Sequence, residues 1–271
     1  MHIIHNGTLV PGDWLKIPHN NKSFRYGIGC FETMRLQANE IPLFYWHWQR
    51  LSAGIAALQF KLLNPLSEAS LLLQIRQLCG INNCELSARI RITLYANTTL
   101  LSDDNFADYI IEASPSDAFS DSSDEAIRMD VFYNNKKAVD SFSNLKISNY
   151  LHNSMAVLFA KQNGLQDMFV VNSFNEIIET TTSNIIVVKD GILFTPGLKA
   201  GPVNGVMLQW LKENLDIKES TITESVLAEA DEIILTNAMG LKRVTMFRDK
   251  VFEDKIVYDA LWNLVAVTLF R

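Results

Sequence analysis

No stretch of this sequence holds the roughly 20 consecutive apolar residues that a membrane-spanning helix requires, which excludes a helical membrane protein. The opening Met1-His2-Ile3-Ile4-His5-Asn6 lacks the basic and apolar regions of a secretory leader, so a cytoplasmic location is expected. Cysteine is scarce: Cys30, Cys79 and Cys84 are odd in number and form no tight metal-binding pattern. Three buried thiols in a reducing compartment are expected, not a disulfide framework. The histidines (His2, His5, His19, His47 and His152) have no i,i+4 pairing and no carboxylate between them, so no metal site is expected. Positive charge is also short. A net charge of -6 argues against nucleic acid or an anionic membrane as partner, since both reward a basic face. Gly27-Ile28-Gly29 lacks the third glycine and the following helix of a dinucleotide fingerprint, and reads as a pair of turn glycines.

What is present suffices for a sizeable core: 48% of residues are hydrophobic and 20% charged. Residues 1–12 read as a hairpin turning at Asn6-Gly7, and a strand follows the Gly27-x-Gly29 turn. Helical spacing runs through Trp46, Leu51, Ile55 and Leu58, carrying His47 and Arg50, and a second helix spans Ser67 to Leu78. Leu86 to Tyr95 and Ala107 to Ala113 read as paired strands. Farther on come a strand at Ile127 to Tyr133, a helix at Asn149 to Gln162 and a short strand at Met168 to Val171. A hairpin turning at Asp190-Gly191, a helix at Gly205 to Leu215, strands at 232–235 and 244–247, and a terminal helix near Tyr258 to Phe270 complete the reading. Strands and helices mix without a βαβ rhythm, so the fold class is α+β. The polar, proline-containing stretch 116–125 is the natural linker between an N-terminal domain, 1–115, and a C-terminal domain, 126–271.

Three features between Lys146 and Val206 carry chemistry. Lys146 stands just before a helix, Glu179 enters a hairpin, and Gly201-Pro202-Val203-Asn204-Gly205-Val206 leads into a helix whose N-terminal N–H groups suit an anion. Each alone is an ordinary surface lysine, solvated acid or turn. Their order, together with Arg25-Tyr26-Gly27-Ile28-Gly29-Cys30-Phe31-Glu32-Thr33-Met34-Arg35, His47-Trp48-Gln49-Arg50-Leu51 and Thr236-Asn237-Ala238, resembles the fold-type IV pyridoxal-phosphate enzymes, the aminotransferase class IV family.

That resemblance implies a two-domain fold with a small N-terminal α/β sandwich and a larger C-terminal pseudo-barrel, a homodimer, and pyridoxal 5'-phosphate as cofactor. It implies that Lys146 is the Schiff-base lysine and the base for the substrate Cα proton. Glu179 would face the pyridine nitrogen and keep it protonated. Arg50, the backbone of Val206 and Met207, and Asn237 would hold the phosphate. Tyr150 would meet the phenolic oxygen. Met207 stands where the family commonly has threonine, so one hydroxyl contact is lost.

The implied substrate is a small amine bearing a carboxylate. Arg89 and Arg91 share one face of a strand and, with Arg35, are candidates to hold that carboxylate, with Phe31 and Ala238 beside them. Phe31, Leu94 and Ala96 stand where D-amino-acid aminotransferases carry Tyr, Arg and His, which counts against that specificity. Phe31-Glu32-Thr33 resembles lyase-like members more than the Phe-Glu-Gly of branched-chain enzymes, although Thr93-Leu94-Tyr95 replaces the lyases' Thr-Arg-Gly. The resemblance therefore leans to aminodeoxychorismate lyase, with a class IV aminotransferase as the alternative. A catalytically idle cofactor-binding homologue is disfavoured by the joint presence of Lys146, Glu179 and Arg50.

Overall fold

The computed structural model describes residues 1–99, 104–117, 119 and 126–270. The chain is α+β and forms two compact units, Met1–Ser120 with Leu145–Asn149, and Asp121–Asn144 with Tyr150–Arg271. The expected domains broke at 116–125, but residues 118 and 120–125 of that linker lie outside the described residues. The short segment 145–149, which carries Lys146, belongs to the first unit although the sequence around it belongs to the second.

The first unit is built on β1 (His2–His5), β2 (Thr8–Pro11), α1 (Lys22–Tyr26), β3 (Gly29–Gln37), α2 (Phe44–Ala57), β4 (Lys61–Leu62), α3 (Glu68–Ile81), β5 (Ser87–Ala96) and β6 (Phe106–Pro115). Its six-stranded sheet runs β2-β1-β6-β5-β3, with β4 added parallel to β6. The β1–β2 turn places Asn6 at φ 51° and Gly7 at φ 83°, two successive left-handed residues that match the twist of a two-residue hairpin. Strict alternation along β5 buries Ala88, Ile90, Ile92 and Leu94, with Met34 and Leu36 of β3, in the same core as Leu71, Ile75 and Leu78 of α3. Ser67 and Ser70 cap α3 reciprocally, each hydroxyl accepting the other's backbone N–H. The three cysteines are free and buried.

The second unit comprises β7 (Arg128–Lys137), α4 (Leu151–Gln162), β8 (Asp167–Asn172), β9 (Ile177–Thr180), β10 (Asn184–Lys189), β11 (Ile192–Thr195), α5 (Val206–Asn214), β12 (Ile217–Glu219), α6 (Glu224–Glu229), β13 (Glu232–Asn237), β14 (Gly240–Arg243), β15 (Met246–Phe247), β16 (Lys250–Val251) and α7 (Ile256–Leu269). Two five-stranded sheets, β12-β11-β10-β13-β14 and β16-β15-β7-β8-β9, enclose a core of Phe169, Val171, Ile185, Val187, Ile233 and Phe247 among others. The continuous burial of β8, β10 and β13 follows from their central places, where both faces are covered. The short elements β9, β12, α6 and β16 were not expected. Each runs two to six residues, too few for a period to register. Among the described residues, no helix is long and apolar enough to cross a membrane.

Candidate active site

In the first unit, β3 lies antiparallel to β5 over nine residue pairs, and β5 to β6, which stacks side chains in rows across the sheet. One face is the apolar core. The other carries Phe31, Thr33 and Arg35 from β3 beside Thr93, Arg91 and Arg89 from β5, with Glu112 opposite Arg91 and Ser114 opposite Arg89. The segment 145–149 fastens to the end of β3: Phe31 N donates to Lys146 O at 2.9 Å, and Ser148 N donates to Gly29 O at 2.8 Å. A glycine is required at 29, because a Cβ there would lie 2.6 Å from Leu94 O and 2.8 Å from Ser148 Oγ. This docking holds the Lys146 Nζ 4.8 Å from the centre of the Phe31 ring, while the Arg91 guanidinium stacks on the same ring at 3.9 Å. Arg91 Nε also donates to Thr93 Oγ1 at 3.1 Å.

The three arginines proposed for a substrate carboxylate thus differ. Arg91 shares the Phe31 ring with Lys146. Arg89 is exposed, two residues farther along the strand. Arg35 is buried and turned toward another segment, its NH1 donating to Asp117 O at 2.8 Å and its guanidinium 5.8 Å from the Phe119 ring. Leu94 and Ala96 are fully buried.

Behind Phe31 the core face of β3 carries a charged cluster. Glu32 is fully buried and accepts from Arg50 Nε at 2.6 Å, Arg50 NH2 at 2.7 Å and His47 Nδ1 at 2.7 Å. Burial alone pushes this carboxyl up, but Arg50 and His47 more than offset it and hold it down to about 2. His47 is kept below its ordinary value, first by burial, with Glu32 opposing and the Arg50 and Lys146 charges adding to the fall. One helical turn of α2 places His47 and Arg50 on the same carboxylate, so His47 has a structural role.

In the second unit Glu179 is buried on β9. Its Oε1 accepts from Lys137 Nζ at 2.7 Å and its Oε2 from Val203 N at 2.7 Å. Lys137, itself buried at the end of β7, was not singled out by the sequence. Tyr150 begins α4, its ring centre 5.8 Å from that of His152. The Gly-Pro-Asn loop packs as its composition suggests: Asn144 Nδ2 donates to Pro202 O at 2.6 Å, and Asn184 Nδ2 to Val203 O at 2.8 Å. A Cβ at Gly205 would collide with Asn184 Oδ1, so the residue preceding α5 is confined to glycine. No side chain caps α5, and Val206 and Met207 are buried in its first turn. Asn237 Nδ2 donates to Ser183 Oγ at 3.0 Å while its Oδ1 accepts from Met239 N at 2.8 Å, which shapes the turn containing Ala238.

These features suit pyridoxal phosphate. A buried carboxylate with unused acceptor capacity matches a protonated ring nitrogen, and an uncapped helix N-terminus behind a glycine matches a phosphate. The candidate residues are divided between the units, Phe31, Arg50, Arg91 and Lys146 in the first, and Tyr150, Glu179, Val206, Met207 and Asn237 in the second.

Comparison with known proteins gives a consistent family. An aminodeoxychorismate lyase of Vibrio harveyi is 23% identical over 232 residues, covering 82% of this chain and 84% of its own. A D-alanine aminotransferase of Listeria innocua is 22% identical over 259 residues, covering 88% and 84%. Among solved structures, the T.th. branched-chain amino acid aminotransferase with pyridoxamine 5'-phosphate superposes with a TM-score of 0.86 at 20% identity, covering 98% of this chain and 94% of that one. Residues 29–246 match the family described as amino-transferase class IV, and the chain belongs to that family.

Proposed function

We propose that this chain binds pyridoxal 5'-phosphate through the ε-amino group of Lys146 and acts as a 4-amino-4-deoxychorismate lyase, releasing 4-aminobenzoate and pyruvate. The observation that carries this reading is the Phe31 ring flanked by the Lys146 amine and the Arg91 guanidinium. It sets an aromatic surface and a fixed cation beside the reacting amine, which suits a ring substrate bearing carboxylates. The bound cofactor supplies an electron sink for the substrate carbon that bears the amino group. Lys146 takes the proton from that carbon. The bond from the ring to the enolpyruvyl oxygen breaks, the ring becomes aromatic, and the departing enolpyruvate takes up the proton at its methylene carbon to become pyruvate, so the atoms balance without a co-reactant.

Arg50 would bind phosphate, with its orientation set by Glu32 and His47. The first turn of α5 and Asn237 would add N–H donors. Glu179 would hold the ring nitrogen and Tyr150 the phenolic oxygen. Burial of Leu94 and Ala96 argues against a D-amino-acid carboxylate trap at those positions. Phe31-Glu32-Thr33 and the Vibrio harveyi relative favour the lyase.

The aminotransferase reading uses the same cofactor residues, and the Listeria innocua relative supports it. One assay separates them: the purified protein is given aminodeoxychorismate, and separately amino acids with 2-oxoglutarate. Joint appearance of 4-aminobenzoate and pyruvate is expected; glutamate without them would replace the lyase by a transferase. Lys146→Ala is expected to lose both the visible absorption band of the bound cofactor and turnover, and normal turnover by Lys146→Ala would refute the assignment of this lysine.

A further inference from the structure

Lys137 is absent from the motifs above, yet it makes the only ion pair to Glu179 among the described residues. Its Nζ lies 2.7 Å from Glu179 Oε1, and both side chains are more than nine-tenths buried. A lone buried ammonium and a lone buried carboxylate would each carry a large desolvation cost, so each charge is tolerated because the other is present. The pair is also precisely held. Glu179 is fixed on β9 by pairing with Val170 of β8, and its second oxygen accepts from Val203 N at 2.7 Å. Lys137 is the last residue of β7 and pairs with Asn172 across a register shift that follows Phe132. That irregularity sets the inward direction of Lys137, since a bulge re-aims the side chains beyond it. On α4, His152 feels both partners: burial first and then the Lys137 charge push its pKa down, while Glu179 raises it.

We propose that Lys137 is a positioning residue for Glu179: it fixes the carboxylate's orientation and shares its charge, and so sets how strongly Glu179 holds a proton on the ring nitrogen of the cofactor. This inference rests on the pyridoxal-phosphate reading above. A carboxylate with no counter-cation would direct its full charge at that nitrogen. With Lys137 in place the charge of the carboxylate is balanced before the cofactor enters, so less of it acts on the nitrogen. Lys137 therefore lowers the nitrogen's proton affinity relative to an unpaired Glu179 and limits the strength of the electron sink. Opposite and like charges within 4–6 Å typically change a proton affinity by tenfold or more.

The test loads the protein with pyridoxal phosphate labelled with 15N in the ring and titrates the nitrogen resonance against pH. The variants are Lys137→Gln, which keeps a hydrogen-bond donor without charge, Lys137→Met and Lys137→Arg. In Lys137→Gln the nitrogen is expected to keep its proton to a pH higher by at least about one unit, a tenfold gain in proton affinity. Lys137→Arg keeps the charge and is expected to follow the wild type. In a Glu179→Gln background the effect of Lys137→Gln is expected to vanish, which a merely structural role would not produce. Should Lys137→Met fail to fold, the Gln and Arg pair still decides the matter. Equal titrations in wild type and Lys137→Gln, or a shift that persists without the Glu179 charge, would overturn the proposal. A wild type that takes up no cofactor, showing no visible band, would instead sink the cofactor reading and this inference with it.

Discussion

Replacing Glu32 by glutamine removes one charge from the interior of the first unit while keeping the size and shape of the side chain. Glu32 is completely buried and accepts three hydrogen bonds, two from Arg50 and one from His47. The carboxyl is held down to about 2 from an ordinary 4.5. At about 1.4 kcal/mol per tenfold in proton affinity, that corresponds to about 3 kcal/mol of native-state stabilisation. Removing one partner of a buried ion pair generally costs about 3–5 kcal/mol, because the remaining charge stays buried and unbalanced. Glu32→Gln is therefore expected to lose about 3 kcal/mol at pH 7, a large share of what a domain of this size usually has.

The pH dependence has a definite sign. A carboxyl whose folded pKa lies below its unfolded value contributes stability that is fully present above the unfolded pKa. That stability is lost as pH falls through the folded pKa. The gap between wild type and Glu32→Gln is thus expected to be full at pH 6–7 and to close between about pH 4.5 and about pH 2. His47, depressed chiefly by burial, also favours the fold at higher pH, because the unfolded chain takes up its proton more readily. Urea unfolding followed by intrinsic fluorescence measures the gap, since Trp46 and Trp48 flank His47 on α2. A double variant with Arg50→Met should lose less than the sum of the two singles, because no unbalanced charge remains. A gap under about 0.5 kcal/mol at pH 7, or one that does not change on acidification, would show that the Glu32 charge contributes no such stabilisation.

Two smaller perturbations test the local geometry. Gly205→Ala should destabilise by about 1–3 kcal/mol, because its Cβ collides with the Asn184 side chain that is bonded to Val203 O; a thermal melt should show the loss largely relieved in Asn184→Ala, and no loss at all would contradict the collision. Ser67→Ala should cost about 1 kcal/mol by uncapping α3, read as a lower unfolding midpoint, and Ser67→Asn should recover most of it.

Much of the fold was legible in the sequence because the long elements carry strong periods. β5 alternates from Ser87 to Leu94, the Asn6-Gly7 and Asp190-Gly191 pairs adopt the two left-handed conformations that a hairpin turn needs, and the helix expected from Ser67 begins at Glu68 with Ser67 as its cap. The return of residues 145–149 to the first unit was not legible. Its cause is a set of backbone hydrogen bonds from Phe31 N to Lys146 O and from Ser148 N to Gly29 O, which leave no mark on side-chain pattern. Arg50 and His47 stood out as a motif, but their shared acceptor did not, because Glu32 lies 15 and 18 residues away on a strand. Lys137 was hidden for a similar reason: its partner is 42 residues distant, and a register shift in β7 breaks the alternation that would have shown it pointing inward.

The two buried carboxylates show why one is better suited to a ligand than the other. A carboxylate offers about four lone-pair positions on its two oxygens. Glu32 accepts three hydrogen bonds from two side chains, and its Oε2 alone receives both Arg50 NH2 and His47 Nδ1. Such a group is close to saturated, and its effect is to orient Arg50. Glu179 is equally buried, but among the described residues it accepts one bond per oxygen, from Lys137 Nζ and Val203 N. It retains roughly half its acceptor capacity while its charge is already compensated. A buried acceptor that is stable without a ligand and still able to take one more N–H is what a site for a protonated ring nitrogen requires. Glu32 lies within a sequence motif that assigns it no role, whereas Glu179 was expected at the ring nitrogen. The donor count separates them: Glu32 is committed to orienting Arg50, while Glu179 keeps room for a further donor.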